Sequence, residues 1–191
     1  MNNKHSLAGA ARLCAALLAL TCFSALSAHA TPAADETDVR NAVEQAFSQL
    51  RTGDYNSLYD VLPTASQRRL PRETFVRKLE QTRNLYELDR LEIGAVHVAG
   101  DVAVVDSVVY MRARKPFEAE GKIVLRQYLM REAGRWRVTT GDRAAINPLL
   151  ATNPAFARRY PPTQPRIYVK RDGKWQDIAA VMKNMRRPAK R

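Results

Sequence analysis

The chain has 191 residues, 31 Lys plus Arg against 19 Asp plus Glu, and a formal net charge of +12. That length suits one domain with an appendage, and 46% apolar with 26% charged residues is a globular composition, which excludes a collagen-like or wholly disordered chain. Cys14, Cys22, His5 and His29 all lie in the first 30 residues. His97 is the one histidine beyond them, so disulfide scaffolding, thiol nucleophiles and multi-histidine zinc sites are excluded there.

Lys4 and Arg12 precede an apolar stretch over 13–26, and Ala28-His29-Ala30 follows as a small-x-small cleavage pattern. Residues 1–30 are therefore expected to be a signal peptide cleaved after Ala30, placing the product in the periplasm or outside the cell. The alternative is a retained anchor, but the stretch is shorter than the roughly 20 apolar residues a span needs. Thr21 and Ala19 make a poor lipobox before Cys22. No transmembrane span is expected in the remaining chain.

Residues 35–51 place Val39, Val43, Ala46, Phe47 and Leu50 at spacings of three and four, which predicts a helix. Gly53 ends it, and Asp54 is a suitable N-cap for a short helix through Tyr55, Leu58, Tyr59 and Leu62. One further turn fits residues 64–70, and Pro71 opens a helix over 72–84. From Tyr86 the period changes to two. Strands are expected through His97, over 102–113, over 120–131 and over 136–140, with turns at Ala99-Gly100 and Ala133-Gly134. Helices followed by four meandering antiparallel strands is an α+β pattern, with the helices on one face of a curved sheet.

Residues 35–142 resemble the nuclear transport factor 2-like superfamily, a cone-shaped, cystatin-like α+β roll that includes SnoaL-like and ketosteroid-isomerase-like proteins. The residues carrying the likeness are Arg51-Thr52-Gly53-Asp54-Tyr55, the helical segment Leu58 to Pro63, and the hairpin running from Arg131 through Trp136 to Val138. The resemblance implies a fold rather than an activity, since the superfamily holds isomerase-like enzymes, periplasmic lipid carriers, secretion scaffolds and members without chemistry. It also implies sheet-to-sheet homodimers.

Residues 31–142 thus form the expected roll. Residues 143–165 carry five prolines and are expected to be an irregular linker. Residues 166–191 are expected to form a basic hairpin around Asp172-Gly173 and a short helix over 177–187. The hairpin echoes an earlier one, Tyr168 to Trp175 against Tyr128 to Trp136.

No Gly-rich phosphate loop, HExxH or nucleophile elbow is present, so no metal or cofactor is expected. If Ala99-Gly100 are the turn residues, His97 opposes Val102 and Ile93 opposes Asp106. Leu91, Ile93, Ala95, His97, Val104, Asp106 and Tyr110 then share one face. Asp106 would sit among apolar neighbours in a cavity, with Tyr110, Tyr55, Tyr59 and Tyr86 as hydroxyl donors, where burial could raise its pKa for general-base work. The alternative is an ion pair with Arg90, Arg112 or Arg126. Apolar residues on both sheet faces require two covers: helices on one, and the C-terminal segment or a second copy on the other.

Residues 31–157 carry 18 positive and 17 negative side chains, whereas residues 158–191 carry 11 and 2. The basic segment, through Arg158, Arg159, Lys170, Arg171, Lys174, Trp175, Arg186 and Arg187, is a candidate for an anionic envelope surface. The combined expectation is an exported, non-enzymatic binding or scaffold protein taking a small apolar ligand or a protein partner. The alternatives are an isomerase-like enzyme using Asp106 with tyrosines, and a periplasmic lipid carrier.

Overall fold

The computed structural model describes residues 32–180 apart from 116 and 117. The signal peptide expected over residues 1–30, the basic residues Arg186 and Arg187 and most of the helix expected over 177–187 lie outside these described residues. Four helices open the fold: α1 (Pro32–Thr52), α2 (Tyr55–Asp60), α3 (Thr64–Arg69) and α4 (Arg72–Arg83). Each starts or stops where the chain's chemistry directs. Asp54 caps α2 by accepting a hydrogen bond from the Ser57 amide at 3.1 Å, and Pro63 and Pro71 immediately precede α3 and α4.

The strands are β1 (Tyr86–Ala99), β2 (Val102–Ala113), β3 (Glu120–Glu132), β4 (Arg135–Val138), β5 (Arg166–Arg171) and β6 (Lys174–Asp177). They form one antiparallel sheet in the order β1-β2-β3-β5-β6, with β4 also on β3. β4 takes the end of β3 at Leu129–Glu132 and β5 takes the Gly121–Val124 end. The four expected strands are present, and the C-terminal hairpin extends the same sheet to six. Both hairpins turn through two residues with positive φ, Ala133-Gly134 and Asp172-Gly173, and each sets a tryptophan opposite a basic residue: Arg131 opposite Trp136 and Lys170 opposite Trp175. Trp136 is buried, whereas Trp175 stays 36% exposed.

The register of β1 on β2 departs from the expected one. The turn is Gly100-Asp101, so His97 opposes Val104 rather than Val102, and Ile93 opposes Ser107 rather than Asp106. Two bulges, between Leu88 and Leu91 and between Ile93 and Val96, return the pairing by one residue each. The second bulge contains Gly94, where an added Cβ would stand 3.1 Å from the Asp106 carbonyl oxygen. Because side chains alternate, the bulge splits the expected face. Leu91, Ile93, Val96 and Val98 face the helices, while His97 joins Val104 and Asp106 on the other side.

Each face carries its own core. On the helix face, Val39, Val43, Ala46, Leu58, Tyr59 and Phe75 pack on Val96, Ala103, Val105, Leu129 and Trp136. The opposite face is covered over Val102, Val104 and Tyr128 by two further helices, α5 (Arg143–Ala151) and α6 (Pro154–Arg159). Here the expectation of an irregular 143–165 linker is overturned. Asp142 caps α5 and Pro154 sits at the start of α6, so prolines punctuate the helices rather than abolish them. Only Pro148 lies inside a helix. Ile146, Leu149, Leu150 and Phe156 supply the buried faces. The cover at this end of the sheet is the segment 143–160 that the prolines marked as a linker.

The Asp142 cap makes folding sensitive to acid. The Thr140 hydroxyl and the Ala145 amide donate to its carboxylate and Arg69 lies 3.6 Å away, which together hold its pKa below the ordinary value. A depressed folded pKa contributes stability that is complete above the unfolded value and is lost as pH falls through the folded one. The carboxylate is half exposed, so solvent screens the ion pair, and the hydrogen bond from Thr140 contributes most to the shift, ahead of the capping bond. Asp142→Ala is expected to cost about 1 kcal/mol at neutral pH. The urea midpoints of variant and parent should converge as the solution is acidified below the carboxylate range.

Candidate ligand cavity

The end of the sheet away from the β1–β2 turn borders a partly open cavity of about 630 Å³. Its inner wall comes from the end of α1 (Leu50), the start of α2 (Tyr55) and the first row of strand pairs, where Leu88, Met111 and Gly121 stand side by side. Gly121 presents no side chain to the cavity, and a Cβ there would press on Met111 Cγ at 3.3 Å. Tyr86 completes this wall. From the other face of the sheet come Arg90, Tyr110, Arg112 and Trp175. The adjoining groove shares Arg112, Arg114 and Glu120 and runs to Lys170 and Gly173 of the hairpin.

Several of these side chains are held in place by their neighbours. Gly53 has φ +81°, a left-handed conformation that ends α1 sharply, and the Arg83 guanidinium lies against its bare Cα, 2.7 Å from where a Cβ would be. Arg83 Nη2 donates to the Thr52 carbonyl at 3.3 Å. Any side chain at position 53 would thus be strained and would also displace Arg83. Burial pushes the Tyr55 phenol up, against the opposing pull of Arg83. On the outer face Arg90 lies 3.7 Å over the Tyr110 ring, Tyr110 donates to Glu92 at 3.1 Å, and Trp175 meets Tyr110 edge-on at 6.2 Å. Lys122 covers Trp175 at 4.6 Å. The tail hairpin is therefore locked onto the sheet through an alternation of rings and cations.

The expected site residues divide. Tyr55, Tyr86 and Tyr110 line the cavity. Tyr59 does not: it is buried in the helix-side core, and its hydroxyl donates to the carbonyls of Gln67 and Leu70 at 2.8 and 3.0 Å. Asp106 does not either. It sits on the face away from α1–α4, 47% exposed, with Arg126 Nε at 2.9 Å. The ion pair foreseen as the alternative is the one formed, and its effect is to raise the Arg126 pKa. Asp106 is therefore neither buried nor among the apolar neighbours expected for it, because the Gly94 bulge put Ile93 and Leu91 on the opposite face. His97 instead stacks on Tyr160, centroids 4.5 Å apart.

The basic candidates do not make one surface. Arg158 and Arg159 end α6, which covers the Tyr128 end of β3, whereas Lys170, Arg171, Lys174 and Trp175 belong to the hairpin on the Gly121 end. Seven residues of strand, roughly 23 Å, separate the two ends. Lys170 binds Glu120 at 2.9 Å, which lowers the Glu120 pKa. Trp175 and Lys170 thus border the cavity and its groove, a placement that charge counting could not foresee. Arg51, Arg83 and Arg112, which line the cavity, are not among the pocket residues the sequence suggests. Each belongs to a different element, and no local motif joins them.

No family model and no curated protein sequence matches the chain. Among solved structures, a protein of the nuclear transport factor 2-like family from Streptomyces avermitilis superposes at 16% identity with a TM-score of 0.44, covering 57% of this chain and 94% of that one. A nuclear transport factor 2-like protein with a cystatin-like fold from Novosphingobium aromaticivorans superposes at 14% identity and a TM-score of 0.41, covering 74% and 97%. A third, an LEH-like epoxide hydrolase from Mycobacterium tuberculosis, gives 14% and 0.40, covering 66% and 99%. The likeness is one of fold.

Proposed function

We propose that the protein is an exported, non-catalytic binding protein of the cell envelope whose ligand occupies the cavity at the end of the sheet away from the β1–β2 turn. The observation that carries this reading is the cavity itself, about 630 Å³, within the roughly 300–1,000 Å³ range typical of small-molecule sites. The carboxylates lining it are already engaged: Glu87 with Arg114 at 3.8 Å, Asp89 with Arg90 at 3.2 Å and Glu120 with Lys170 at 2.9 Å. Asp106, the residue an isomerase-like reaction would need, is bound to Arg126 on the other face. These two facts favour binding over proton transfer.

Export rests on the cleavage pattern at Ala28-His29-Ala30, and the exposed Arg171 and Lys174 at the hairpin tip favour residence near an anionic surface. Expression with the complete N-terminus in a Gram-negative host, followed by native mass spectrometry of the periplasmic fraction, tests the whole reading. The expected species begins at Thr31 and carries a co-purified small molecule that is lost on denaturation. A cytoplasmic product that retains residues 1–30 would overturn export. A chain that binds none of a panel of small molecules would overturn the binding function.

A further inference from the structure

β4 leaves one edge of the sheet unpaired, because it joins β3 on one side only. Thr139 donates its N–H towards β3, to the Tyr128 carbonyl, while Val138 donates the other way, to the Val61 carbonyl, both at 3.0 Å. Backbone groups alternate in direction along a strand, so the N–H and C=O of Trp136 point off the edge as those of Val138 do. No described residue supplies a partner for either Trp136 group. Such a pair is what an added strand requires.

This edge forms one wall of an open groove of about 530 Å³, and α1 forms the facing wall. Asn41, Gln45 and Gln49 line the α1 side, and none of their side chains makes a hydrogen bond among the described residues. Gln49 Oε1 and Arg137 Nε are shut off from solvent without a partner. A carboxamide carries the same donor and acceptor as a peptide group. Carboxamides four residues apart recur about every 6 Å along a helix, close to the roughly 6.6 Å two-residue repeat of an extended chain. We propose that this groove binds a short extended peptide of a partner protein, which pairs with Trp136 and turns its outer amides to Asn41, Gln45 and Gln49. The Val61 bond closes the edge at one end and the Ala133-Gly134 turn at the other, so the free stretch is too short to join two sheets. Asp60 is already held by Arg72, which leaves mainly neutral groups and suits main chain rather than an ion. The groove shares no residue with the ligand cavity, and neither proposal depends on the other.

The probe is a heptapeptide selected from a random display library on the full-length chain and depleted on Asn41→Ala/Gln45→Ala. Both of those side chains are exposed, so the variant should keep its parent's unfolding midpoint. The synthesised peptide should bind one to one, slow exchange of the Trp136 amide, and lose about tenfold or more in affinity when alternate residues in one of the two registers are N-methylated. Asn41→Gln/Gln45→Asn should recover part of the affinity lost in the alanine variant. Failure to enrich any peptide on the parent over the variant would overturn the proposal. So would binding indifferent to both N-methylations, or binding that leaves Trp136 exchange unchanged. A Trp136 amide protected in the free protein also overturns it, assigning the groove to a second copy if protection rises with concentration and to the chain's own residues if it does not.

Discussion

Tyr128→Ala is expected to lower the unfolding free energy by about 3–5 kcal/mol, the cost of removing a large aromatic ring from a packed core. Tyr128 is 1% exposed at the centre of the cluster formed by Val102, Val104, Ile146, Leu149, Leu150 and Phe156. Its hydroxyl donates to the Tyr160 carbonyl at 2.9 Å, so the side chain anchors α5 and α6 both by area and by a buried polar contact. Tyr128→Phe retains the ring and should cost about 1 kcal/mol, the ordinary contribution of one hydrogen bond. The signature to seek is local. Amide exchange in residues 143–160 should accelerate in Tyr128→Ala more than in the strands, because that ring ties the second layer to the sheet.

Leu129→Ala, one residue further along β3, should cost about 2–5 kcal/mol and act on the other core. Leu129 has no exposed surface and packs on the helix side among Ala103, Val105, Trp136 and Val138. Its strand neighbours Ala103 and Val138 hold it from both sides, leaving little room for the site to collapse around the deletion. Here protection should fall throughout α1 and the central strands, with residues 143–160 following only through global unfolding. If the two substitutions produced the same exchange pattern, the two-layered account of this sheet would be wrong. Urea unfolding supplies the magnitudes and exchange supplies the location.

Much of the local structure was legible from the chain. The four N-terminal helices fall where apolar spacing, Gly53, Asp54, Pro63 and Pro71 place them, and the hairpin turns fall at Ala133-Gly134 and Asp172-Gly173. These are signals a residue sends through its own backbone, and they do not depend on distant partners. Five prolines over 143–165 point to an irregular segment, yet α5 and α6 form there because proline disrupts a helix only from its interior, where Pro148 alone stands. The pattern Ile146, Leu149, Leu150 and Phe156 already carried helical spacing, and Pro154 sits where a helix accepts proline. The site was less legible. Tyr55, Tyr86 and Tyr110 reached the cavity, but Tyr59 and Asp106 did not, and the pocket residues the sequence suggests do not include Arg51, Arg83 or Arg112.

The sequence by itself determined the α+β class, the order of the four N-terminal helices and of the strands, the Asp54 cap, the turns at Ala133-Gly134 and Asp172-Gly173, and the concentration of positive charge from Arg158 onward. Each of these follows from local propensity, hydrophobic period or simple counting. Only the tertiary structure decided which way the strand side chains point. The bulge at Gly94 put Leu91 and Ile93 on the face opposite Asp106 and a second bulge undid the shift by Leu88, because each one-residue shift moves the following side chains to the other side of a sheet. The same holds for the charge. Charge counting sets the basic tail apart, yet its hairpin extends the sheet beside β3 and sets Trp175 and Lys170 at the border of a cavity whose arginines come from α1, α4, β1, β2 and the loop after β2. Such a cluster is made by topology across more than a hundred residues of chain, and no short stretch of sequence contains it.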